Sequence, residues 1–403
     1  MTKSNLYAAS NQWAVRPADE RFGTLEEARD ACKAYADTAE ELTVDFGSET
    51  ILADSDGLYL TLDGGKGNRK ATFTNWGFGQ MCRMAGAPAD YIRRLPPHLA
   101  AQCVDAGLDK HFAGREAMES KALVHVNGSL VLRSLTSERY ARFWNWEVFD
   151  RLIGLQGTGW RVPPGRPSSG NDPRARKATE ADCLSRKSSG GGLSINPGDM
   201  IAPAGIYASD HDMFSFLVNE DYRIEDGSDG GLARGFFVQN SEVGASALKV
   251  TFFHYRHVCG NHIVWDASNV IEVSVRHIGD VAGRFHIQLA ESVNKYLNAS
   301  AADETARVNR ARSLTLGATK DEVLDAVFKA IAGGRRNGLP SGMNFKQLGA
   351  AYDLAEQWVD VDGSPRSVWG YVNGLTRLSQ QTAYTDDRTF LDRAGSAVLA
   401  LAV

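Results

Sequence analysis

The stretch Leu123-Val124-His125-Val126-Asn127-Gly128-Ser129-Leu130-Val131-Leu132-Arg133 decides how the chain is read. Two short apolar runs flank Asn-Gly, the pair that most readily takes the left-handed backbone of a tight hairpin turn. A sheet that grows by hairpins needs no crossover helices. The expected class is therefore α+β, an antiparallel or mixed central sheet with helices grouped N- and C-terminal to it, rather than alternating βαβ.

Downstream, extended segments are predicted over 205–208, 232–239, 248–258 and 271–277, with a short helix around 210–217. Between Ser137 and Leu152, Trp144, Val148, Phe149 and Leu152 recur at helical spacing, which predicts a helix from Ser137. From Arg284 the pattern becomes helical, most clearly over 320–332, 345–359 and 368–381. Upstream, Thr24-Leu25-Glu26-Glu27 is a capping box that opens a helix read through Leu42. Leu58 to Leu62 and Ala71 to Thr74 read as a hairpin around Gly64-Gly65-Lys66-Gly67-Asn68, and 76–85 and a segment from Ala89 read as helices.

These readings divide the chain into a tail (1–18), an N-terminal α+β unit (19–120), a strand-rich core (121–283) and a helical region (284–403). Residues 163–199 stand apart, because Pro163-Pro164, Pro167-Ser168-Ser169-Gly170 and Ser188-Ser189-Gly190-Gly191-Gly192 are turn and loop chemistry; a mobile insertion is expected.

With 403 residues, 43% hydrophobic, 23% charged and a net charge of −5, the chain has the composition of a soluble globular protein. No apolar run is long enough for a membrane helix, and the start lacks the order of a secretory signal, so a cytoplasmic protein without a membrane partner is expected. The five cysteines (Cys32, Cys82, Cys103, Cys183, Cys259) are odd in number and lack a C-x-x-C pair, which argues against a disulfide framework. Between Asp19 and Asp56, twelve acidic residues face only Arg21, Arg29 and Lys33. The remainder of the chain is therefore mildly basic, and a local cationic surface is compatible with the overall charge.

Three constellations could carry chemistry. Arginine alternates with aromatic residues in Arg133, Arg139, Tyr140 and Arg142, in Arg234 and Phe236, and in Tyr255 and Arg256. Cations neutralise phosphates and ring faces stack on unpaired bases, so a sheet bearing both could hold a single strand; the same arginines could equally pair with carboxylates. The cluster His257, Cys259 and His262 offers ligand types suited to zinc, and Cys259 beside His257 offers a thiol that a base could activate. Packing of Cys259 where a strand ends is the simpler reading. No nucleotide-binding glycine pattern or serine-hydrolase elbow occurs, and no cofactor is called for.

Several segments together resemble the phage/plasmid-like proteins of the "domain of unknown function 932" family. They include Gly79-Gln80-Met81-Cys82 through Leu95-Pro96, the stretch from Val131 to Tyr140, Gly198 to Asp210, Arg234-Gly235-Phe236, Asn240-Ser241-Glu242-Val243-Gly244, the turn from Tyr255 to Asn261, Arg276-His277 and Trp369 to Thr376. The resemblance implies a mobile-element origin and adds Asn240, Glu242, Asn261 and His277 as groove candidates; Asn240 to Gly244 could also be a structural turn. The expected function is an accessory protein of DNA metabolism that binds single-stranded DNA, in annealing or recombination, without nucleotide hydrolysis. The alternatives are a metal- or thiol-dependent hydrolase centred on His257 and Cys259, and a decoy that binds a host-defence protein through residues 19–56. A homo-oligomer is compatible with each.

Overall fold

A computed structural model describes residues 17–45, 51–54, 57–63, 68–112, 119–162, 165–168, 170–182, 195–203, 205–224, 231–256, 262–263, 272–332, 344–379, 381 and 385–402. The Asn-Gly hairpin forms: β6 (Glu119–Asn127) pairs antiparallel with β7 (Ser129–Ser137), and Gly128 supplies φ +72° between the paired Asn127 and Ser129. This hairpin joins the preceding strands, not the later ones with which the sequence groups it. β2 (Ala39–Asp45), β3 (Ile51–Asp54), β4 (Gly57–Asp63) and β5 (Asn68–Phe73) complete a six-stranded sheet in the order β2-β6-β7-β5-β4-β3, with β5 parallel to β7. Helices α2 (Asn75–Met84), α3 (Ala89–Ile92) and α4 (Pro97–Phe112) follow β5; Met81, Cys82, Ala100 and Val104 share the sheet's core with Leu60, Ala122 and Leu132.

One irregularity in that sheet has consequences downstream. The β6–β7 register runs from Leu123 opposite Ser134 to Val124 opposite Leu132, so Arg133 is an extra residue on β7. A bulge of this kind redirects the side chain it carries. Leu132, Arg133, Ser134 and Leu135 are consecutively buried, where strict alternation would have turned every second one outward.

The second sheet is antiparallel. β11 (Ile206–Ala208), β12 (Met213–Ile224), β13 (Leu232–Asn240), β14 (Leu248–Arg256) and β15 (His262–Ile263) lie in order, β1 (Arg21–Phe22) adds to β11, and β16 (Glu272–Val275) also pairs with β14. On one face, Phe236, Val238, Val250 and Phe252 pack with α1 (Leu25–Ala36), α5 (Asn145–Ile153) and α6 (Val281–Leu297). α7 (Ala301–Ser313), α8 (Lys320–Ala332), α9 (Phe345–Glu356), α10 (Val359–Asp362), α11 (Val368–Ser379) and α12 (Thr385–Leu399) close the chain, with Trp369, Tyr371, Val372 and Leu375 buried at the centre of this helical group. The class is α+β.

Local readings failed where pairing overrode them. The helix opened at Thr24 is capped as expected, its hydroxyl accepting from the Glu27 amide at 3.1 Å, but ends at Ala36. Leu42 and Val44 alternate with exposed Glu41 and Thr43 on β2, and seven residues pair with β6. Met213 to Leu217 is strand, not helix, because β12 is flanked on both sides by partners. The helix expected from Ser137 starts at Asn145. Within the predicted insertion, β8 (Arg166–Pro167) and β9 (Arg176–Lys177) pair with β10 (Met200–Ala202), and Asp172 holds Arg21 at 2.7 Å; its glycine run at 190–192 lies outside the described residues. Among the described residues no helix is long and apolar enough to cross a membrane.

Candidate functional site

The arginines singled out from the sequence divide sharply. Arg133 is buried, 1% exposed, and its guanidinium meets the Glu242 carboxylate at 2.9 Å and the Asp210 carbonyl at 2.5 and 2.8 Å. Arg234, also buried, donates to the carbonyls of Leu297 at 2.5 Å and Ala299 at 2.7 Å and to Glu304 at 2.8 Å. It thus closes the C-terminal end of α6, where unpaired carbonyls and the helix dipole favour a cation, and ties that end to α7. Phe236 is wholly buried against Trp160, their ring centroids 4.6 Å apart. These three residues are internal supports, a correction to the sheet-surface expectation. Charged groups become internal only with partners, and the partners here come from segments distant in sequence.

Arg142 pairs with Glu41 at 2.5 Å and also donates to the Glu242 carbonyl. Tyr140 donates to the Ser241 carbonyl at 2.8 Å, and burial pushes its hydroxyl up to about 12. Arg139 is exposed. Tyr255 and Arg256 lie on β14 opposite Ala233 and Leu232.

The segment Asn240-Ser241-Glu242-Val243-Gly244 proves to be a buried hub. Asn240 donates to the Phe143 carbonyl at 2.8 Å and to the Asn145 side chain at 2.9 Å. The Glu242 carboxylate accepts from the Asn145 amide at 2.6 Å, the Ser241 hydroxyl donates to the His211 carbonyl at 2.6 Å, and Gly244 takes φ +78°. Trp76 and Gln80 on α2 both donate to the Val243 carbonyl, at 3.1 and 3.0 Å. The structural-turn reading therefore accounts for this segment, and through it the first sheet's α2 is fastened to the second sheet.

His125 belongs to the same assembly. Its ring stacks on Tyr35 with centroids 3.8 Å apart, and Arg133 lies over the Tyr35 ring. The Thr38 hydroxyl donates to the Tyr35 carbonyl, which leaves its oxygen to accept from His125 Nδ1 at 2.8 Å; His125 Nε2 then accepts from Arg133 at 3.0 Å. A proton on Nε2 would face a guanidinium. Burial, reinforced by Arg133 and Arg142, lowers this histidine to about 4. His277 is similarly internal, with Nδ1 donating to the Ala141 carbonyl at 3.2 Å, its ring stacked on Tyr140, and its affinity for a proton lowered by burial.

His257, Cys259 and Asn261 lie outside the described residues, while His262 is placed on β15 opposite Tyr255. Among the described residues no group of three or more His, Cys, Asp or Glu side chains is arranged to hold a metal ion. The acidic 19–56 segment is partly neutralised by ion pairs: Glu27 meets Arg174, Glu40 meets Arg69 at 2.9 Å, and Glu41 meets Arg142.

An open cleft of about 400 Å³ lies elsewhere, on the α2–α3 face, bordered by Asn75, Trp76, Gly79, Gln80, Arg83 and Arg93. Thr74 caps α2 through its hydroxyl, and Gln80, bonded to both the Leu135 amide and the Val243 carbonyl, anchors the middle of the helix. The exposed Arg83 guanidinium sits 5.9 Å from the Trp76 ring centroid, and Arg93 sits 5.0 Å from that of Phe78. Arg93 pairs with Asp90 at 3.0 Å, whereas Arg83 and Arg94 have no carboxylate partner among the described residues. Tyr91, whose carbonyl accepts from the Arg94 backbone amide at 3.0 Å, is 58% exposed.

Gly79 is informative here. A Cβ added at this position would meet nothing within 4 Å. Packing does not require glycine, yet in a helix interior it costs about 1 kcal/mol relative to alanine. The neighbouring Gly77 differs, because a Cβ there would lie 2.5 Å from the Leu132 carbonyl oxygen. The sequence spacing predicts this helix, over 76–85, but assigns it no site residue; the available signal is two glycines, Gly77 and Gly79, within one helix beside Trp76.

Residues 210–395 match the family described as Domain of unknown function (DUF932). No curated protein and no solved structure matches the chain.

Proposed function

We propose that this chain, which belongs to the DUF932 family through residues 210–395, binds single-stranded DNA, with the α2–α3 face as the contact surface and annealing of complementary strands as the activity served. The reading is carried by one observation: Arg83 and Arg94 are exposed cations without carboxylate partners among the described residues, Arg83 lies 5.9 Å from the ring centroid of the half-buried Trp76, and Tyr91 is exposed on α3. From Asn75 to His98 the chain holds three arginines against one aspartate, opposite in sign to the acidic 19–56 segment. Unpaired cations attract phosphates at no cost in broken ion pairs, and exposed rings stack on bases that a duplex would keep within its own stack.

The test is an anisotropy titration of a labelled oligonucleotide across a range of salt. Affinity should fall as salt rises, and replacing both Arg83 and Arg94 by alanine should weaken binding and reduce the slope of log affinity against log salt by about 0.7 per phosphate contact removed. Alanine at Arg174 and Arg176, which are engaged with Glu27 and Asp182, should leave the slope unchanged. Binding that is absent at low salt, or indifferent to Arg83 and Arg94, overturns the proposal.

A further inference from the structure

The cleft beside α2 has features that a merely cationic face does not need. It is concave, its volume falls within the roughly 300–1,000 Å³ usual for small-molecule sites, one wall is an indole, and its floor at Gly79 is bare of side chain. The indole is held from behind: Trp76 Nε1 donates to the Val243 carbonyl and the ring lies near-parallel to His211 at 6.3 Å between centroids, so it is positioned before any ligand arrives. Gln80, which also lines the cleft, spends both ends of its amide on backbone. The site therefore offers a flat apolar face with cations at its rim, and little that reads hydrogen bonds at its base.

We infer that this cleft takes a single unpaired nucleobase of the bound strand, stacked on Trp76 over the bare Gly79 position, with a flanking phosphate against Arg83. Arg83, exposed and lying over the Trp76 ring, gives up that contact to the base and turns to a phosphate; an exposed cation–ring contact is weaker than a base stacked on indole. A stacking site of this kind accepts any base, since every base presents a π-face. The inference rests on the DNA-binding reading and goes beyond it by assigning bases, not only phosphates, a share of the affinity.

The experiment compares a labelled oligonucleotide with an abasic strand of equal length, so that backbone charge is kept while bases are removed. The full chain should bind the base-bearing strand at least tenfold more tightly. Gly79→Leu, which places a good helix former and fills open space, should abolish that preference, so that the base-bearing and abasic strands bind alike; Trp76→Phe should reduce the preference, with the Val243 carbonyl still held by Gln80. Equal affinity for the two strands in the unaltered chain, a comparison that needs no variant, overturns the base site while the cationic-face reading stands. A preference that survives Gly79→Leu also overturns it. Failure of both strands to bind removes the two readings together.

Discussion

The guanidinium of Arg133 and the carboxylate of Glu242 meet at 2.9 Å with only 1% and 3% of their side chains exposed. Arg133 comes from the bulge in the first sheet and Glu242 from the turn that follows β13 in the second, so this ion pair spans the junction between the sheets.

Removing one member of the pair strands a charge in the interior. Arg133→Ala or Glu242→Gln should each cost about 3 to 5 kcal/mol of stability, read as a fall in the urea midpoint, whereas an apolar pair such as Arg133→Met with Glu242→Leu should cost much less than the two single changes added together. A single change that left the midpoint unmoved would show that the junction does not depend on this contact.

His125 makes stability depend on pH with a definite sign. Its folded-state value, about 4, lies below its ordinary 6.5, so between these values the unfolded chain binds more protons than the folded one. Its contribution is whole above pH 6.5 and is lost as pH falls toward 4. The urea midpoint should drop between pH 7 and pH 5, and His125→Gln should flatten part of that drop; an equal drop in the variant would assign the dependence to other groups, His277 among them, whose value burial also lowers.

Two glycines on one helix should respond oppositely. Gly77→Ala drives a methyl against the Leu132 and Arg133 carbonyl oxygens and should destabilise by about 1 to 3 kcal/mol as α2 is pushed off β7. Gly79→Ala enters open space and should stabilise by up to about 1 kcal/mol through helix propensity. Thermal midpoints of the two variants, measured side by side, check the contrast.

Thiol accessibility follows burial. Among Cys32, Cys82 and Cys103, only Cys103 is exposed, and burial raises the proton affinity of the other two. A thiol reagent on the native protein, with labelled peptides mapped by mass, should modify Cys103 before Cys32 and Cys82, which should react only after denaturant is added. Early labelling of Cys32 would indicate that α1 opens from the second sheet.

Local chemistry was legible in the sequence wherever a few neighbouring residues decide the outcome. The Thr24 cap, the left-handed Gly128 between two apolar runs, and the helices at 320–332, 345–356 and 368–379 all follow from hydroxyls, glycine conformation and apolar periodicity within one segment. What only the tertiary structure decided was pairing and side-chain direction. Residues 39–45 became a strand because β6 offered seven partners, and Arg133 turned inward because a bulge displaced it by one position toward Glu242, far along the chain. An arginine's sequence neighbours do not reveal whether a carboxylate from a distant turn will reach it, so the contrast between buried Arg133 and Arg234 and exposed Arg83 and Arg94 arises only when the two sheets and their helices are assembled.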